Sequence, residues 1–177
     1  MESPRERERM TGDLYETDFY SWSQQQGALL RSGDVHRADL ANIAEEIETL
    51  GRSEAAALES AYRLIAMHLL KALHQPEMAS RSWKASIIRE RLNVKRLLRD
   101  NPGLKARRSD LFLGAYDDAR REASAETGRP LSRFPAVSPF TIGQAEDEAF
   151  MPPALARFVE PDDTDRSDRR KARGKGA

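Results

Sequence analysis

Residues 59–76 read ESAYRLIAMHLLKALHQP, and the fold follows from how this stretch is read. Leu58, Tyr62, Ile65 and Leu69 recur at steps of three and four, which places them on one face of a helix. From Leu64 onward the segment is apolar on nearly every side, interrupted by His68 and Lys71. A helix that is apolar all round buries itself in protein, so this segment is expected to be the central element of a helical bundle. Ser53 can cap its start, and it should end near His74, before Pro76. The near-apolar run from Leu64 to Leu73 is too short to span a bilayer.

Working outward, Leu40, Ile43, Ile47 and Leu50 predict an amphipathic helix over 40–50, with Gly51 as its C-terminal cap. A first helix is expected over Asp13–Arg31, carrying Leu14, Phe19, Trp22, Leu29 and Leu30 and stopping near Gly33. Downstream, Ser80 or Ser82 can open a fourth helix reaching Arg99, with Trp83, Ile87, Val94 and Leu98 facing inward and Glu90 or Arg91 flanking or entering that stripe. Asn101-Pro102-Gly103 closes it, and a fifth helix is expected over 109–127 before Gly128. Thr141 and Gln144 have capping-box spacing for a short helix. Leu and Ala together number 42 against 10 for Ile and Val, a balance that favours helices over strands. The expectation is an all-α bundle of about five main helices with short helical pieces after residue 130. A single domain is expected over 13–153, between a disordered segment 1–12 and a disordered charged tail 154–177.

The 29 basic and 29 acidic side chains cancel, so no global field draws the chain toward nucleic acid or membrane. The charge is nonetheless segregated: residues 34–61 hold seven acids and two bases, and residues 81–108 hold ten bases and two acids. These segments could attract each other; a nucleic-acid contact by the basic one has weaker support, because aromatic residues do not interleave with the bases. Cysteine is absent, which removes disulfides and thiolate chemistry. Together with a charged N-terminus, MESPRERERM, unlike a signal peptide, this points to the cytoplasm.

Four residues are candidates for chemistry. Glu45 and Glu48 lie about 60° apart around their helix, close enough to share a cation or a proton, although a solvated face opposite Leu40, Ile43 and Ile47 is the better account of them. His68 sits in the most apolar helix, where an imidazole costs free energy unless it is hydrogen-bonded. Arg63 precedes it with the loose Arg-x4-His spacing that resembles the signature of HEPN-type helical ribonucleases. His74 lies too far around the helix to form an HExxH zinc pair with His68, and no Glu-x-x-His pair suggests a di-metal bundle. No metal site or cofactor is expected, and no phosphate-cradling Gly-rich loop or Gly-x-Ser-x-Gly elbow is present.

YETDFYSW at 15–22, DLANIAEEIETLGRSE at 39–54, MHLLKALHQPE at 67–77, SRSWKASIIRERLNVKRLL at 80–98 and NPGLK at 101–105 occur in an order that resembles the bacterial domain-of-unknown-function family 29. The resemblance implies a compact helical domain in a bacterial intracellular setting and supplies no activity. Its emphasis on Glu45 to Glu48, His68 to Lys71 and Ser82-Trp83 suggests a shared pocket of Glu45 or Glu48, His68, Lys71, Arg81 and Trp83. The expected function is a non-enzymatic intracellular binding or protein-interaction module, with a protein partner or a homodimer. The alternative is a small hydrolase, metal-independent or metal-assisted, acting on RNA or another phosphodiester through His68 with Arg63.

Overall fold

A computed structural model of the chain describes residues 14–158. The expected disordered segment 1–12 and most of the expected tail 154–177 lie outside the described residues. Among the described residues the structure is helical, without a strand. The main helices are α1 (Phe19–Ser32), α2 (Leu40–His74), α3 (Arg81–Asp100) and α4 (Arg108–Thr127), followed by the short α5 (Ile142–Glu146) and α6 (Pro153–Ala156). No helix among them is long and apolar enough to cross a membrane. The chain divides into two compact units, residues 1–54 and 55–177, each described by itself below.

The five expected helices are four, because the second and third are one. Gly51 caps nothing: α2 runs through it, and only Gly33 and Gly128 have positive φ. A lone glycine inside a helix costs about 0.5–1 kcal/mol relative to alanine, too little to end a helix that continues into Glu54-Ala55-Ala56-Ala57. The first expected helix is broken instead. Residues 14–17 form a separate helical turn, and Asp18 caps α1 by accepting a hydrogen bond from the Ser21 N–H at 3.0 Å. Gly33 ends α1 as expected, in a left-handed conformation with its N–H directed to the Leu29 and Leu30 carbonyls.

Among the described residues of the first unit the buried side chains are Trp22 and Gln26. Tyr15 and Phe19 pack on the Trp22 ring, with centroids 4.8 and 5.4 Å away. The Tyr15 hydroxyl donates to Glu46 at 2.5 Å, and the Gln26 side-chain oxygen accepts from the Asp39 N–H at 2.8 Å. Leu40, Ile47 and Leu50, expected to face a core, are exposed.

The core of the second unit is built on the stretch that decided the fold. Leu58, Tyr62, Ile65, Leu69 and Leu70 are wholly buried, each apolar one stabilising by roughly 1.5–3 kcal/mol relative to exposure. From α3, Ile87, Val94, Leu97 and Leu98 join them; from α4 come Leu111, Phe112, Ala115, Tyr116, Ala119 and Ala123. Ser80 caps α3 by accepting from the Trp83 N–H, and Thr141 with Gln144 forms a capping box at α5. Helical structure continues past residue 153, and Leu155 of α6 is fully buried. Both Glu90 and Arg91 enter the inward stripe of α3. Arg91 donates to the Ala145 and Gln144 carbonyls at the end of α5, and Glu90 accepts from Arg89 and Asn93.

Candidate functional site

Of the sequence-derived candidates, the structure brings together His68, Lys71 and Trp83. Lys71 and Trp83 meet because both α2 and the capped first turn of α3 are amphipathic toward the same core. The Lys71 Nζ stands 4.2 Å from the centroid of the Trp83 ring and pairs with Glu126 of α4. An ammonium over an indole face and paired with a carboxylate is a satisfied way to bury a lysine that is only 5% exposed. The His68 ring lies 6.3 Å from the Trp83 ring, and its Nδ1 is buried without a hydrogen-bond partner among the described residues. Burial, followed by the positive charge of Lys71, pushes the His68 imidazole down to about 4. It is therefore neutral at pH 7, and its weak basicity suits it poorly to general acid–base work near neutrality.

Arg63 points elsewhere. Five residues before His68 on the same helix, it lies about 140° around the axis, where it pairs with Glu122 and donates to the Ser60 hydroxyl. Glu122 and Glu126, four residues apart on α4, thus each meet a cation of α2. Sequence reading did not single them out. Their spacing on one helix face was the available signal, but nothing in sequence tells which of many carboxylates faces a buried cation. Arg81 is exposed in the first turn of α3.

Glu45 and Glu48 belong to the first unit, whereas His68, Lys71, Arg81 and Trp83 belong to the second. Glu45 is exposed, and Glu48 pairs with Arg52 at 3.4 Å. Their neighbour Glu46 is the engaged one: its bond to Tyr15 raises that phenol to about 12. Among the described residues no three His, Asp or Glu side chains are grouped to hold a metal ion.

Two further features carry no sequence-derived candidate. A groove of about 300 Å³ is lined by Val94, Lys95, Leu98, Glu146 and Asp147, with Arg91 in its wall. Glu146 is occupied there by the Tyr62 hydroxyl at 2.6 Å and Arg108 at 3.2 Å. The other feature is the outward stripe of α2, with Leu40, Ile47 and Leu50 exposed to 52%, 64% and 69%. These three residues fall within about 80° around the helix.

The chain matches the family described as Domain of unknown function DUF29 over residues 14–151. No curated protein and no solved structure matches it.

Proposed function

We propose that this chain, which belongs to the Domain of unknown function DUF29 family, is a protein-interaction module that docks a helical partner on the exposed face of α2 between Leu40 and Leu50. The observation that carries the reading is the exposure of three large apolar side chains in one stripe. Single exposed leucines are ordinary, but a contiguous row at helical spacing costs solubility unless something covers it. The Leu40-Ile43-Ile47-Leu50 steps of three, four and three are those by which one helix packs along another. The hydrolase alternative lacks comparable support. His68 is a weak base beside Trp83, and Arg63 is held by Glu122 rather than beside the imidazole.

The test is site-specific photo-crosslinking in cells with a reactive side chain at position 47, and at position 56 as a control. A product formed at 47 and not at 56 is expected. The captured protein, purified, should bind the wild-type chain and fail to bind Ile47→Glu. Equal products at both positions, or binding indifferent to Ile47→Glu, would overturn the reading.

A further inference from the structure

We infer that the helix docked on this face is α3 of a second copy of the chain, in a reciprocal two-fold dimer; the inference rests on the docking reading above and names its partner. The argument is charge complementarity between two exposed faces that each carry an apolar centre. Residues 1–54 hold twelve acids and six bases, and residues 55–177 hold twenty-three bases and seventeen acids, so the two units carry net charges of −6 and +6. On α2 the exposed face bears Ile47 and Leu50, with Glu48, which meets Arg52, at one edge and Glu54 one turn beyond Leu50. On α3 the exposed face bears Leu92, 57% exposed. Arg89, Lys95, Arg96 and Arg99 all lie within about 60° of it around the helix.

Three carboxylates already meet these four cations, which leaves the face with one positive charge in excess. Arg99 and Arg96 share the single Asp100, Lys95 meets Glu148, and Arg89 meets Glu90. A polyanion would suit α3 and be repelled by the acidic face of α2. A foreign basic helix would suit α2 and leave Leu92 and its cations uncovered. A second copy satisfies both faces at once: in a closed two-fold pair, α2 of each chain lies on α3 of the other, and the two contacts are identical. Apolar centres then meet apolar centres, and an acidic rim meets a basic one.

The experiment is sedimentation velocity of the full chain over a concentration series reaching roughly 100 µM, a range that resolves a micromolar dissociation constant. A monomer–dimer equilibrium that weakens with added salt is expected. Ile47→Glu places a carboxylate in the apolar contact and should weaken the dimer by at least about tenfold. Two charge-reversed chains make the assignment specific: Glu48→Lys with Glu54→Lys, and Arg96→Glu with Arg99→Glu. Each alone opposes like charges at both contacts and should dimerise poorly, whereas their mixture restores opposite charges at both and should form a heterodimer. Circular dichroism of each variant should match wild type, because the substituted positions are exposed. A chain that stays monomeric, a dimer indifferent to these changes, or a mixture that associates no better than its components would overturn the inference. If the chain is monomeric while position 47 captures another protein that binds specifically, the docking reading stands and the second copy is excluded. If position 47 captures nothing specific as well, both fall.

Discussion

His68→Leu should make the protein less sensitive to mild acid, and by an amount the surroundings of the imidazole fix. His68 faces Trp83 and feels Lys71 and Arg89 as like charges and Glu126 and Glu90 as opposite ones, and burial outweighs them all in holding it at about 4 instead of 6.5. As pH falls through 6.5 the unfolded chain takes up the proton first, so stability is lost from there downward until the folded state also protonates near pH 4. At pH 5 this linkage amounts to about 2 kcal/mol. At pH 7 the substitution should be within about 1 kcal/mol of wild type, since it removes an unpartnered buried nitrogen along with the ring. Urea denaturation at pH 7 and pH 5 measures both quantities. His74, also held low by burial, titrates in the same direction, but it is common to the two proteins and cancels in the difference. Parallel losses of stability between pH 7 and pH 5, or a His68 ring titrating near 6.5 by NMR, would refute the reasoning.

Gly51→Ala should stabilise by about 0.5–1 kcal/mol in thermal denaturation, because Gly51 lies in a helix with negative φ and open space around it; a loss would mean that α2 is interrupted there. Tyr62→Phe removes the 2.6 Å bond from a wholly buried hydroxyl to Glu146 and should cost about 1–2 kcal/mol by urea denaturation. Glu126→Gln strips the buried Lys71 ammonium of its counter-charge and should cost about 1–3 kcal/mol, part of which Lys71→Met on the same background recovers by removing the stranded charge.

The second unit was legible because its signals agree. Periodicity, the all-round apolar stretch from Leu64, the Ser80 cap and the Thr141–Gln144 capping box each point to the same helices, and all stand where they were expected. Boundaries failed where a local signal had to be weighed against its neighbours. Gly51 has the chemistry of a stop signal, but Glu54 and three alanines follow it, and their helix propensity decides. Asp18, inside an apolar pattern that reads as continuous from Leu14 to Leu30, breaks it because its carboxylate can reach the Ser21 N–H. The candidate site was legible in part. His68, Lys71 and Trp83 come together, but Glu126, the carboxylate that balances Lys71, sits more than fifty residues away from it in sequence, as Glu122 does from Arg63.

The stripe on α2 shows why a correct pattern can carry a wrong expectation. Amphipathic spacing states that one face of a helix will leave water; it does not state what covers that face. In residues 55–74 the cover comes from α3 and α4, and Leu58, Ile65 and Leu69 are sealed. In residues 40–50 the same spacing, on the same helix, leaves Ile47 and Leu50 in solvent beside Glu48. The two halves differ in charge rather than in period: no acid lies between Ser60 and Gln75, whereas Glu45, Glu46 and Glu48 stand in a row beside Ile47. Acids at that density offset the solubility cost of an apolar stripe left in water, and on the docking reading proposed above that stripe is a contact made on association rather than on folding.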